Sequence, residues 1–161
     1  MSGSAPKVNV PFLNGAKVAI ISARWHEDIC NALVDGAKRA LSEAGISDID
    51  VVYVPGSFEL PLAAQYALKA GADAAIVLGV VLRGETPHFD YVCQGVTEGV
   101  MQVSLILDKP IGFGVLTVDT VEQAVARSGV SGSKEDKGYD SAVAALDLLR
   151  VKRELGDRLR K

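Results

Sequence analysis

The chain has 161 residues, about one domain by the usual prior of roughly 150 residues per domain and long enough to bury a core without disulfide or metal support. Its 17 basic and 20 acidic residues give a net charge of -3, which argues against a nucleic-acid surface and against attraction to a membrane. The longest apolar run, 74–82, is far below the roughly 18 residues that span a bilayer, and the N-terminus lacks an apolar signal segment, so we expect a soluble, cytoplasmic protein.

The hydrophobic pattern alternates strands with helices. Residues 1–14 are polar and contain prolines, so we expect an irregular arm or an edge strand before a single domain at 15–161. The periodicity predicts strands at 17–22, 49–54, 74–82 and 111–117, and helices at 27–44, 59–70, 89–107, 121–127 and 137–159. Regular alternation implies a parallel sheet built by right-handed crossovers, and therefore an α/β fold, a three-layer α/β/α sandwich with a four-stranded parallel sheet.

The loops that follow the four strands are predicted to open on one edge of the sheet, where ligands bind in such folds. The most polar of them follows the apolar strand 74–82. Its Gly84-Glu85-Thr86 run precedes a helix and suits a phosphate, although Thr86 and Pro87 are equally consistent with a simple helix start. His88 could transfer a proton near neutral pH, or it could only pack at the helix start.

Three further residues in or near these loops each have a functional and a structural interpretation. Trp25 could stack on a planar ligand, or it could anchor the core or an interface. Glu59 could accept hydrogen bonds from ligand hydroxyls, or it could compensate a helix dipole. Arg127 could bind a phosphate, or it could stabilise the end of its own helix. His26 begins a helix beside two acidic residues, so we expect it to be structural or exposed.

Several familiar sites are excluded by their spacing. Residues 79–86 have the glycine spacing of a P-loop, but Glu85 stands where the phosphate-binding lysine belongs. The Gly112-Phe113-Gly114 run begins a dinucleotide-binding fingerprint, but it lies within a strand rather than in a strand-to-helix turn. Cys30 and Cys93 have no Cys or His partners at metal-ligand spacing, so we expect two buried thiols and no metal site. A hydrophobic content of 48% with a mean hydropathy of +0.22 favours oligomerisation.

Five motifs in this order resemble one family, the lumazine synthases. They lie at 55–61, 79–92, 113–117, 122–127 and 137–138, and the resemblance extends from about residue 14 to residue 155. It implies flavodoxin-like winding of the sheet. It also implies the penultimate step of riboflavin biosynthesis, in which 5-amino-6-(D-ribitylamino)uracil and 3,4-dihydroxy-2-butanone 4-phosphate condense to 6,7-dimethyl-8-ribityllumazine, phosphate and water without any cofactor.

The resemblance assigns one set of residues to the pyrimidine substrate. Trp25 would stack on the ring, at a position where relatives often have phenylalanine. Ser57, Phe58 and Glu59 would hold the ribityl chain. The backbone groups of Val80, Val81 and Leu82 would line the ring. Phe113 would close the pocket from an adjacent subunit.

A second set would serve the phosphorylated substrate. Glu85, through its backbone N–H, and Thr86 would bind the phosphate together with Arg127, which resembles an arginine supplied across the subunit interface. Lys137 matches a lysine near the phosphate. His88 matches the proton donor and acceptor of the family. Because positioning two reactive substrates supplies much of the acceleration, we expect loss of His88 to slow turnover rather than abolish it.

The family assembles as pentamers, some of which pack further into icosahedral cages of sixty chains. Residues 128–136 look longer than in cage-forming relatives, and Pro11 would weaken pairing of an N-terminal strand, so we expect a free pentamer. Because Phe113 and Arg127 would come from a neighbouring chain, a monomer should be nearly inactive. The rival hypothesis is a lumazine or flavin carrier that kept the pocket and lost turnover.

Overall fold

The computed structural model describes residues 8–159. Its strands and α-helices run in the order β1 (Lys17–Ala23), α1 (Glu27–Glu43), β2 (Asp48–Val54), α2 (Leu60–Lys69), β3 (Ala74–Leu82), α3 (His88–Leu107), β4 (Ile111–Val118), α4 (Val121–Val125) and α5 (Lys137–Leu159). All strand pairs are parallel, in the order β2-β1-β3-β4. This arrangement confirms the predicted four-stranded α/β sandwich and its flavodoxin-like winding.

The sheet carries an apolar core on each of its faces. On one face α1 and α5 pack against residues such as Ile20 and Ile76, and on the other α2 and α3 pack against Ile21 and Val77. Alternate side chains of a strand point to opposite faces, so a strand covered on both sides must be apolar throughout. The continuous run in β3 meets this requirement, because its side chains are buried up to the partly buried Leu82.

The two outer strands differ from β3 because each has one unpaired side. In β4 the side chains of Phe113 and Thr117 are exposed, whereas Val115 and Leu116 between them are buried. Along this strand Val77 pairs with Phe113 and Leu82 pairs with Val118, so β3 and β4 end side by side. The loops that follow them therefore start next to each other, and β4 leaves its outer side open.

Several boundaries differ from the predictions. The helix α4 ends at Val125 rather than at residue 127, because Arg127 and Ser128 donate backbone hydrogen bonds only three residues back, to Ala124 and Val125. The helix α2 begins at Leu60, one residue after the predicted start, with Pro61 in its first turn as predicted, and a single 3₁₀ turn, Ser57–Glu59, precedes it.

The two thiols that the sequence predicts to be buried differ in their exposure. Cys30 is buried as expected, but Cys93 is only partly buried, because it lies at the edge of the apolar face of α3. Of the predicted arm, residues 8–14 are irregular, with Leu13 buried and its N–H bonded to the carbonyl of Ala44. Residues 1–7 lie outside the described part of the chain. Within 8–159, no helix is long and apolar enough to cross a membrane.

Candidate active site

A pocket of about 720 Å³ opens at the carboxyl end of the sheet. Parallel strands end together here, and the loops after β1, β2 and β3 form its walls, as the sequence predicts. Among the residues assigned from sequence, it brings together Trp25, Ser57, Phe58, Glu59, Val80, Val81, Leu82 and His88. Residues from three separate loops therefore meet in one concavity large enough for a bicyclic ligand with a polar chain.

Aromatic side chains stand exposed in this concavity. Trp25 is 71% exposed and Phe58 is 61% exposed, so the core alternative for Trp25 is wrong. The carbonyl of Trp25 accepts a hydrogen bond from the thiol of Cys30, and burial raises the pKa of that thiol to about 11, so it stays protonated. Exposed aromatic faces in a pocket offer a stacking surface for a flat heterocycle.

His26 lies between Trp25 and the first turn of α1. It is half-buried in the pocket wall and has a left-handed backbone, with φ 57°, which non-glycine residues seldom adopt. Its carbonyl accepts the hydrogen bond of the Cys30 N–H. His26 thus turns the chain from β1 into α1, and this turn presents the indole of Trp25 to the pocket.

Two polar side chains follow β2 at the bottom and rim of the pocket. The Oε2 atom of Glu59 accepts a hydrogen bond of 2.9 Å from the N–H of Gly56, which holds the carboxylate at the rim. The Oγ atom of Ser57 is buried and has no partner among the described residues. A Cβ atom at Gly79 would lie 2.5 Å from this hydroxyl, so glycine is required there. A buried hydroxyl without a partner is suited to a polar ligand.

The loop between β3 and α3 is held by Arg83. Its Nε atom lies 2.8 Å from Oδ1 of Asp119, and its Nη1 atom lies 3.4 Å from Oδ1 of Asp90. The guanidinium also lies 4.1 Å from the ring centre of Phe89. Hydrogen bonding to Asp119 raises the pKa of Arg83. These contacts fix both ends of the loop that carries the predicted phosphate-binding residues.

His88 begins α3, and the helix-cap alternative for Thr86 is wrong. The residue at the N-cap position is Pro87, and no side chain within residues 8–159 caps the helix. Glu85 and Thr86 are exposed just before it and are not part of the pocket wall. They lie in the chain between Gly84 and His88, which do line the pocket, next to a helix N-terminus that favours an anion.

The other predicted residues lie in a separate pocket of about 320 Å³ along β4. It is lined by Phe113, Arg127 and Lys137, together with Gln123 and the strand residues up to Val118. None of the described residues lines both this pocket and the larger one. A single chain therefore does not unite all the residues that the sequence assigns to one site.

The cations of this second pocket are held by neighbouring groups. Arg127 Nη1 donates to the carbonyl of Gln123 at 2.9 Å, and Nε lies 3.9 Å from Oε2 of Glu135. Lys137 Nζ lies 3.2 Å from Glu135 and 3.2 Å from Asp140. Although burial lowers the pKa of Lys137, hydrogen bonds to Asp140 and Glu135 leave it raised, so this lysine is charged at neutral pH.

The profile of the family described as 6,7-dimethyl-8-ribityllumazine synthase matches residues 15–153. The chain belongs to this family. Proteins with that name are 53% identical in Streptomyces coelicolor, over 147 residues covering 91% of both chains, and 52% identical in Frankia casuarinae, over 157 residues covering 96% of this chain and 98% of the relative. The similar protein of Kineococcus radiotolerans is 50% identical over 148 residues.

Two residues of α3 line the larger pocket without having been assigned to the site from the sequence. Tyr91 and Val92 line the larger pocket from α3, and Tyr91 is 70% exposed. Its position three residues after His88 in a helix puts it on the same face, which is a signal that the sequence offers. The Arg83–Asp119 pair was also foreseeable, because the two residues directly follow the ends of adjacent strands. Among residues 8–159, no group of three His, Cys, Asp or Glu side chains could hold a metal ion.

Proposed function

We propose that this protein condenses 5-amino-6-(D-ribitylamino)uracil with 3,4-dihydroxy-2-butanone 4-phosphate to give 6,7-dimethyl-8-ribityllumazine, phosphate and water, in the cytoplasm. The observation that carries the proposal is the larger pocket, which groups Trp25, Glu59 and His88 in a member of the lumazine synthase family. These groups offer an aromatic face, an acceptor and a proton-transferring imidazole, which this condensation needs without a metal or organic cofactor.

The pyrimidine substrate occupies the larger pocket in this proposal. The indole of Trp25 stacks on the ring, and the backbone of Val80, Val81 and Leu82 contacts its edge. The ribityl hydroxyls extend toward the loop after β2, where Glu59 accepts hydrogen bonds and the buried Ser57 hydroxyl gains the partner that it lacks. Phe58 covers the chain, since its exposed ring stands at the same rim.

The phosphorylated substrate lies at the mouth of this pocket, between two chains. Thr86 and the backbone N–H of Glu85 bind the phosphate from one chain. Arg127 and Lys137 come from a second copy, which also supplies Phe113 to close the ring pocket. Two features support this division: the two pockets share no residue, and the second runs along the unpaired side of the edge strand β4.

Such a head-to-tail contact places different surfaces of the two chains against each other, and repetition of it closes a ring. We propose a free pentamer rather than a cage of sixty chains. The exposed apolar residues of α3, including Leu105 at 73% and Ile106 at 75%, support burial in an assembly. Light scattering tests this assignment, and a particle of sixty chains would overturn it.

His88 moves the protons of the reaction. The amino group of the pyrimidine attacks the ketone of the butanone, and water leaves as the imine forms. Phosphate then leaves, and the ribitylamino nitrogen attacks the remaining carbonyl, so that loss of a second water completes the second heterocycle. Each step adds or removes a proton at the reacting atoms, and an imidazole at the start of α3 within the pocket is suited to both directions. Holding both substrates together supplies much of the acceleration.

The direct test mixes the assembled protein with both substrates and follows lumazine fluorescence and phosphate release. Both signals are expected, at a rate well above that of the substrates alone. Binding of the substrates with neither signal would overturn the enzymatic assignment and would indicate a carrier instead. The pair Arg127 and Lys137 favours the enzyme, because a carrier of an unphosphorylated ligand needs no cationic pocket.

Replacing Ser57 with alanine is expected to have opposite effects on stability and on binding. The buried hydroxyl has no partner among residues 8–159, so its removal is expected to leave the melting temperature unchanged or slightly higher. The same change raises KM for the pyrimidine substrate by about fivefold, because a hydrogen bond to the ribityl chain is lost. A melting curve and steady-state kinetics check both signs. A lower melting temperature with an unchanged KM would contradict the assignment of Ser57.

A further inference from the structure

The carboxylate of Glu135 lies beside the second pocket and pairs with both of its cations. We propose that Glu135 occupies the phosphate position of the free enzyme and gives way when the phosphate binds, so that it limits phosphate affinity and speeds phosphate release. This inference rests on the proposed function, because it takes Arg127 and Lys137 as the phosphate-binding cations.

The first observation is the geometry of the pairing. A single atom, Oε2 of Glu135, lies 3.2 Å from Nζ of Lys137 and 3.9 Å from Nε of Arg127. One oxygen shared by two cations is the arrangement that a bound phosphate oxygen would have. The carboxylate thus stands where an anion is best stabilised, and a phosphate cannot pair fully with both cations while it remains.

The second observation is the charge of the pocket. Arg127 and Lys137 are compensated by Glu135 and by Asp140, which lies 3.2 Å from Lys137 within the first turn of α5. With both carboxylates in place, these four groups carry no net charge. Moving Glu135 away restores a net positive charge. A phosphate dianion therefore gains more from a pocket that Glu135 has left.

The third observation is that the side chain has room to move while its backbone is fixed. The N–H of Glu135 donates to the carbonyl of Ala126 at 3.1 Å, and that of Lys134 donates to the same carbonyl at 3.0 Å. The Glu135 side chain is 42% exposed and lines a depression of about 360 Å³, which shares Gln123 and Arg127 with the second pocket. Rotation of the side chain alone moves the carboxylate into this space, with water as its new partner.

Loss of the Glu135 carboxylate changes phosphate binding in opposite directions under two possible roles of this residue. If Glu135 served only to hold the two cations in place, its loss would weaken phosphate binding. If it competes with phosphate, its loss strengthens binding and slows release. A substitution that keeps the size of the side chain and removes its charge distinguishes the two.

The experiment uses the full assembled chain with inorganic phosphate as the probe. Glu135→Gln is expected to bind phosphate about threefold more tightly in calorimetry, a change in the range of one exposed ion pair. Product inhibition by phosphate rises by the same factor. Glu154→Gln is the matched control, because its carboxylate also pairs with an arginine, Arg150 at 2.7 Å, outside this pocket. It should bind phosphate as the unmodified protein does.

Arg127→Met, measured alongside, separates this inference from the proposed function. If that variant loses phosphate binding while Glu135→Gln binds phosphate equally well or less well, the role of Glu135 is wrong and the phosphate site stands. If Arg127→Met binds phosphate as tightly as the unmodified protein, the phosphate site is wrong, and the role of Glu135 fails with it. Tighter binding by Glu135→Gln together with loss by Arg127→Met supports both.

Discussion

Replacement of Arg127 by methionine is expected to lower kcat/KM for the phosphorylated substrate about a hundredfold, because losing a charge-assisted contact to an anion costs about 3 kcal/mol. The guanidinium is held ready for this contact by its bond to the carbonyl of Gln123 and is partly exposed in the pocket along β4. Methionine keeps most of the apolar stem of the side chain and removes only the charge and the hydrogen-bond donors.

The pattern of kinetic constants in this variant is as informative as the size of its loss in kcat/KM. KM should rise for the phosphorylated substrate alone, while the affinity for the pyrimidine substrate stays the same, because Arg127 lies outside the larger pocket. Arg153→Met is the matched control, since that arginine is exposed on α5 and lines neither pocket. Equal losses in the two variants, or a change in pyrimidine affinity alone, would contradict the assignment.

Replacement of His88 by glutamine is expected to lower kcat about a hundredfold, the scale of general acid–base catalysis. The glutamine occupies similar space at the start of α3 and can donate a hydrogen bond, but it cannot transfer a proton in both directions. Turnover should remain faster than the reaction of the free substrates, because the pocket still positions them together.

Measuring substrate binding by this variant separates a loss of proton transfer from a loss of affinity. Trp25 is the only tryptophan of the chain and stands in the wall of the same pocket, so quenching of its fluorescence reports the pyrimidine affinity directly. Quenching by the pyrimidine should give the same affinity in His88→Gln as in the unmodified protein. An unchanged kcat would rule out proton transfer by His88, and a large loss of affinity would indicate that the residue serves binding.

The sequence predicted the sheet well because the determining signals were local. The run in β3 is apolar throughout, and a strand covered on both faces must be so. Gly45 and Gly71 end their helices with positive φ, as helix ends require. The end of α4 was missed because Arg127 and Ser128 bond only three residues back, while the carbonyl of Arg127 accepts the N–H of Lys137 from farther along the chain.

The candidate site likewise has one part that follows from strand order and another part that does not. The loops after β1, β2 and β3 converge because parallel strands share an edge, so their residues could be grouped from strand order alone. Phe113 and Arg127 could be assigned only through the family resemblance, since one chain places them in a different pocket. The pairing of Glu135 with both cations depends on the path of the loop before α5, which no periodic pattern encodes.

The central claim is that each active site is built from two chains, and mixing two strongly impaired variants tests it most directly. His88→Gln removes the proton-transferring group of the larger pocket and leaves Arg127 intact, whereas Arg127→Met removes the phosphate-binding cation and leaves His88 intact. Dissociated, mixed in equal amounts and reassembled, they should recover about a quarter of the unmodified activity, because random neighbours unite one intact half of each kind at about that frequency. Activity that stays at the average of the two separate variants after verified mixing would contradict a shared site.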